Sequence, residues 1–308
     1  MNQDTEVRKR NHLTGHNASV YALALIGSDI ILSGGGDKIV ASWDLNNPGE
    51  GTLLAAVPEV IYSLYADESK DRVLIGQAAG GLHVISLREK KEIRLLQYHG
   101  APIFHIAISK RHNVLFSLTG DGKLGVIDND SLELKALLTV SEGKLRACAL
   151  NEDETMLVVG GADGTITIFS LPGMIPVKHW QAHEKGFSVN AIAFTPGDKQ
   201  LLTGSRDAHL NIFDVENDFR LLKSIPAHNY AIYSIVFSPD KKYFATCSRD
   251  KTIKIWDAND MDILYRIDLE KNEGHKNSVN KIVWNNKTGQ LISAGDDRNI
   301  MIWDIITP

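Results

Sequence analysis

Histidine, a hydroxyl residue, aspartate and tryptophan recur together along this chain. The first three are the parts of a nucleophilic catalytic constellation, in which an imidazole activates a hydroxyl. The aspartates set the spacing. Turn positions fall at Asp37, Ala79, Asp121, Asp163, Asp207, Asp250 and Asp297, separated by 42, 42, 42, 44, 43 and 47 residues. Six residues after each stands a bulky apolar side chain: Trp43, Ile85, Ile127, Phe169, Phe213, Trp256 and Trp303. A chemical site is needed once, whereas this combination repeats, so the pattern favours a structural role. Elsewhere His83, His112, His179 and His209 occupy unrelated repeat positions. They suggest no metal set, and neither a cofactor nor a metal is expected.

A period of 40–45 residues filling the whole chain denotes an array of similar supersecondary units. At 308 residues, length alone would suggest about two domains. Seven units leave no room for a second, so residues 1–308 are expected to form one array. Hydrophobic content is 43% and charged content 23%, both ordinary for a globular protein. The net charge of −5 and the lack of a long basic run argue against nucleic-acid or anionic-membrane binding driven by charge. The two cysteines, Cys148 and Cys247, lie in apolar stretches of different units and read as buried, reduced thiols. The first sixteen residues hold no apolar core of a secretory signal, and no apolar run approaches a membrane span. An intracellular, cytoplasmic setting is the expectation.

Each unit reads as four short strands. An alternating stretch such as SVYALAL comes first, then a Gly/Asp/Lys/Pro turn, then a strand leading to the aspartate turn (YFATCSRDK). A third strand ends on the bulky residue (TIKIWDA), and a more polar fourth leaves the unit (RLLKSIP). Four such strands with turn residues between them fit an antiparallel meander. No segment shows helical periodicity. In the third strand Ile253 and Ile255 face one way, Thr252 and Trp256 the other. A sheet that buries both faces must be flanked on both sides by neighbours.

The dipeptides Gly15-His16 and Gly274-His275, with variants Tyr98-His99, Ala182-His183 and Ala227-His228, recur in register with Trp43-Asp44, Trp256-Asp257 and Trp303-Asp304. With these motifs the chain resembles the WD-repeat family. The resemblance implies an all-β fold, a seven-bladed β-propeller of four-stranded antiparallel blades. Only four residues follow the last Trp-Asp. The segment Glu6 to Leu13 is therefore expected to supply the missing outer strand of the seventh blade and close the propeller. The family also implies a network in which the turn aspartate accepts from the histidine, and the histidine bonds a strand hydroxyl that bonds the indole N–H. The sets would be His16, Ser33, Asp37 and Trp43; His228, Thr246, Asp250 and Trp256; and His275, Ser293, Asp297 and Trp303. A fifth-blade set of His183, Thr203 and Asp207 ends on Phe213, and a third-blade set of His99, Ser117 and Asp121 ends on Ile127. Blades 2 and 4 lack the histidine and should rely on apolar packing.

In this family partners are expected at the rim of one face. One register lies 16 or 17 residues before the turn position: Tyr21, Tyr62, Phe104, Arg146, Asn190, Tyr233 and Asn280. The other is the residue just before it: Gly36, Ala78, Gly120, Ala162, Arg206, Arg249 and Asp296. Aromatic and arginine side chains are enriched at interaction hot spots. The small residues would leave the aromatics facing a shallow apolar depression, with a basic arc from Arg206, Arg249 and Arg146; the alternative is that the aromatics close the channel mouth by packing on one another. The expected function is a non-catalytic scaffold binding a protein or peptide with an apolar anchor and an acidic group; a monomer suffices. The alternative is a propeller lyase or hydrolase at the central channel, for which His105 and Lys281 are scattered candidates. The charged insertion DLEKNEGHKN before the last turn reads as a solvated loop.

Overall fold

Alternating apolar residues bury both faces of the second and third strands in nearly every unit, while the fourth strand is left to solvent. In Val114–Thr119 and Leu82–Ser86 every residue is buried, whereas Arg220–Pro226 is exposed at six of its seven positions. The computed structural model describes residues 5–306. Among these, 28 strands form seven four-stranded antiparallel sheets, each meandering in chain order except the last. The first sheet runs Val20–Ile26, Ile30–Gly35, Ile39–Asp44 and Thr52–Ala56. The seventh takes Val279–Trp284, Leu291–Gly295 and Ile300–Ile306 from the end of the chain, with Glu6–Leu13 added outside. That N-terminal strand has the bounds read from the sequence. It pairs antiparallel from Glu6 opposite Ile306 to Leu13 opposite Ile300, and buries Val7 and Leu13.

The chain divides into two compact parts. One comprises residues up to 73, 85–91 and those from 233 on; the other comprises 74–84 and 92–232. In the first part, Trp303, Ile255, Leu291 and Val279 form a core between the sixth and seventh sheets. Trp43, Val20, Ile292 and Ile302 do the same between the seventh and first. In the second part, Phe116, Leu124, Leu157 and Phe169 join the third sheet to the fourth, and Ile166, Val189, Leu201 and Phe213 join the fourth to the fifth. Carboxylates and amides staple neighbouring sheets at their loops. Glu68 accepts from the Gly27 N–H at 2.7 Å, Asn285 donates to the Ser28 carbonyl at 2.7 Å, and Glu154 accepts from the Ser109 hydroxyl at 2.7 Å.

The recurrent aspartate has a local cause. The residue after each turn position has positive φ in all seven units: Lys38, Gly80, Gly122, Gly164, Ala208, Lys251 and Arg298. Glycine is required where a Cβ would run into backbone, as at Gly80 against the His99 carbonyl and Gly122 against the Ser141 carbonyl. The aspartate compensates for the left-handed residue by accepting the N–H two positions on. Asp207 takes the His209 N–H at 2.9 Å, Asp250 that of Thr252 at 3.0 Å, and Asp163 that of Thr165 at 3.2 Å.

The insertion before the last turn is more ordered than a solvated loop. Asp268 caps a single helical turn, Leu269–Asn272, by accepting the Lys271 N–H at 2.9 Å. Glu273, in left-handed conformation, then binds Lys9 of the N-terminal strand through its carboxylate at 2.7 Å and its carbonyl at 3.1 Å.

Candidate interaction rim

The polar sets are buried relays, and their proton order follows from the donor at one end. Trp43 Nε1 can only donate, and does so to Ser33 Oγ at 2.7 Å. The serine proton is thereby directed to His16 Nε2, 2.7 Å away, and His16 Nδ1–H donates to Asp37 at 2.8 Å. Trp303, Ser293, His275 and Asp297 repeat this at 2.9, 2.8 and 2.9 Å. In the sixth blade Trp256 donates to Thr246 at 2.9 Å, His228 is buried, and Asp250 accepts the Thr252 N–H in the turn. In the fifth, His183 joins Thr203 at 2.8 Å to Asp207 at 3.0 Å. There Phe213 replaces the indole and meets Trp180 edge-on at 5.6 Å. Burial alone would push the Asp207 and Asp297 carboxyls up. Hydrogen bonds from the imidazoles and from backbone N–H groups outweigh it and hold both below the ordinary aspartate value.

The third blade departs from the expected set. His99 bonds Ser117 at 2.8 Å, but Asp121 accepts from the Thr119 hydroxyl and pairs with Lys123 at 3.1 Å instead. Threonine two residues before the turn offers a closer donor than the imidazole. His99 Nδ1 is left buried without a partner, and burial lowers its pKa. Blades 2 and 4 do not rely on apolar packing alone. In each, the third-strand residue four after the turn position bonds the outer strand: His83 to Glu92 at 3.3 Å, and Thr167 to His179 at 2.9 Å. Spacing does not place His83 and His179, because their partners Glu92 and Thr167 are not residues of the repeat motif.

The rim register has a backbone origin that sequence spacing did not reveal. First-strand pairing skips one residue between Val20 and Ala22, Ile103 and His105, Val189 and Ala191, and Val279 and Lys281. The skipped residues are Tyr21, Phe104, Asn190 and Asn280. A bulge releases its extra residue from the ladder and re-aims the side chain. Arg146 stands immediately before its strand, Ala147–Leu150.

In the first part of the molecule, the half-buried Tyr21 and Tyr62 rings lie 5.4 Å apart, tilted by 39°. Asn280 donates to Asp296 at 2.8 Å and to the Val20 carbonyl at 3.0 Å. Those two side chains thus brace the rim. Tyr233 is half-buried there and Arg249 exposed. In the second part, the Arg146 guanidinium carbon lies over the Phe104 ring, 4.3 Å from its centre, with Lys144 Nζ 6.0 Å from the same centre. Asn190 is buried and accepts from Ser188 at 2.8 Å, while Arg206 is exposed. Gly120 is closely approached: a Cβ there would come 3.1 Å from Pro102 and 3.2 Å from Phe104. Lys144 escaped sequence reading because it lies outside both registers.

Among the described residues, no cluster of three or more His, Cys, Asp or Glu could hold a metal ion. None of their helices is long and apolar enough to cross a membrane.

Repeated four-stranded sheets with buried Trp–Ser/Thr–His–Asp relays define a β-propeller built from WD repeats. The chain belongs to the family described as WD domain, G-beta repeat, whose profile matches residues 7–44, 133–170, 174–214, 219–257 and 268–304. The unmatched stretch 45–132 covers the second blade and most of the third, whose third strands carry Ile85 and Ile127 in place of an aromatic residue. The crystal structure of the WD40 β-propeller domain of Doa1 superposes with a TM-score of 0.85 over 97% of each chain at 18% identity, which shows the fold: a seven-bladed propeller. The guanine nucleotide-binding protein subunit beta-like protein of Encephalitozoon cuniculi is 24% identical over 70% of this chain and 56% of its own length. THO complex subunit 3 of Arabidopsis thaliana is 26% identical over 70% of this chain and 67% of its own. The chain therefore spans little more than half of the first relative.

Proposed function

We propose that residues 1–308 act as one propeller whose rim binds a protein or peptide, without catalysis, in the cytoplasm. The partner would offer an apolar anchor to the Tyr21–Tyr62 pair and an acidic group to Arg146, Arg206 or Arg249. The observation that carries this is the set of bulges that lifts Tyr21, Phe104, Asn190 and Asn280 out of their ladders. A bulge weakens pairing, and its recurrence at one register is explained by a use for the released side chain. The relatives named as a complex subunit and a guanine nucleotide-binding protein subunit agree with an interaction role. The net charge of −5 disfavours nucleic acid as the partner.

The test is affinity capture from the native cell with wild type, Tyr62→Ala, Phe104→Ala and Arg249→Glu. Partners present with wild type and lost with folded variants support the reading. An unchanged partner set, or variants that lose only their fold, refutes it.

A further inference from the structure

We propose that the insertion before the last turn is a catch and that the strand Glu6–Leu13 is the strap it holds, able to leave the seventh sheet while the inner strands stay folded. This goes beyond the rim reading and does not depend on it. The strap is lightly fastened by its own sheet. Only Val7 and Leu13 of its eight residues are buried, and its pairing with Ile300–Ile306 is interrupted at Arg10, which the register skips between Lys9 and Asn11. Each of the other six outer strands follows its third strand through a short connection, which returns it to the same edge at high effective concentration. Glu6–Leu13 lacks such a hairpin, since residues 14–19 join it to the first sheet and not to the strand it pairs with.

The catch comes from the sixth blade. Lys9 stands opposite Trp303, and paired residues share a face of the sheet. Its side chain therefore lies on the face where Trp303 packs against the sixth sheet. There the ammonium donates to Glu273 twice, to the carboxylate at 2.7 Å and to the main-chain carbonyl at 3.1 Å. Glu273 is held left-handed, with φ of 50°, at the end of the Asp268-capped turn. The Gly274 N–H closes that turn on the Asp268 carbonyl at 3.0 Å, and a Cβ on Gly274 would come 2.8 Å from the same oxygen, so a side chain there would push the turn apart. Asn272 ties the turn to the sixth blade's outer strand by donating to the Tyr265 hydroxyl at 3.1 Å. The Lys9–Glu273 pair thus anchors the strap to a blade that its own ladder does not reach. Freeing Lys9 lets the strap fray and uncovers the outer edge of Ile300–Ile306.

The experiment measures hydrogen-exchange protection by mass spectrometry on the full chain at neutral pH and low ionic strength. It compares wild type with Lys9→Met, Glu273→Gln and Lys135→Met; the last breaks the 2.7 Å Lys135–Asp128 pair within the third blade. In wild type, residues 6–13 should exchange faster than Val279–Trp284, the inner strand of the same sheet. Lys9→Met and Glu273→Gln should each lower protection of 6–13 by about two- to fivefold, the range for an exposed ion pair, and leave Val279–Trp284 unchanged. Added salt should bring wild type towards the two variants. Residues 6–13 exchanging in step with Val279–Trp284 would overturn separate release. Wild-type protection of 6–13 in both folded variants, or an equal loss there in Lys135→Met, would overturn the catch.

Discussion

Ser293→Ala removes one buried hydroxyl and little volume, yet it strands two groups. Ser293 Oγ is the acceptor for Trp303 Nε1 at 2.9 Å and the donor to His275 Nε2 at 2.8 Å, and all three side chains are buried. A buried polar group left unpaired costs about 1–3 kcal/mol, so the substitution should destabilise by roughly 2–6 kcal/mol. Ser117→Ala supplies the control. Its hydroxyl serves His99 at 2.8 Å, but Ile127 stands where the indole would be, so only one group is stranded. Its expected cost is about 1–3 kcal/mol, half that of the seventh blade. Urea unfolding followed by circular dichroism gives both values under one set of conditions. Equal losses in the two blades, or losses within the ~0.5 kcal/mol typical of surface changes, would refute the relay as a source of stability.

Gly125→Ala should act on the third blade from the other side. Its Cβ would meet Ser117 Oγ and His99 Nε2, so a loss of about 1–3 kcal/mol is expected by the same unfolding measurement. Acid should act in two stages in a melting series from pH 8 to pH 3. His99 is held below the ordinary imidazole value, so its contribution is complete above about pH 6.5 and declines as the pH falls further. Asp207 and Asp297 are held below the ordinary carboxyl value, so theirs persists to about pH 4 and then disappears. A His99→Gln protein that keeps the first stage would contradict this. Deleting residues 1–13 removes the outer strand of the seventh blade with the buried Val7 and Leu13. The melting temperature should fall by many degrees, and an unchanged value would refute closure by that strand.

The fold was legible because its determinants are local and repeated. Each aspartate turn announces a left-handed residue, and each bulky residue six positions later marks the end of a two-faced buried strand. The strand Glu6–Leu13 could be placed because the seventh unit lacked its fourth strand. The site was legible only as a register. Spacing locates Tyr21 and Phe104 but cannot show that pairing skips them, since a bulge depends on the partner strand. Nor could it show that Arg146 lies over Phe104 with Lys144 nearby. The departures from the motif have other causes. Thr119, two residues before the turn, competes for Asp121 in the third blade; in blades 2 and 4, His83–Glu92 and Thr167–His179 pair the third strand with the outer strand, which no motif encodes.

The bulged first strands carry an implication for how such a molecule can change. A residue excluded from the ladder can be exchanged without disturbing the pairs on either side, while the relays that hold the sheets together lie in other strands and turns. Recognition and folding are then under separate control at the half-buried Tyr21 and Phe104, and randomising positions 21 and 104 would offer a route to new specificities on an intact scaffold.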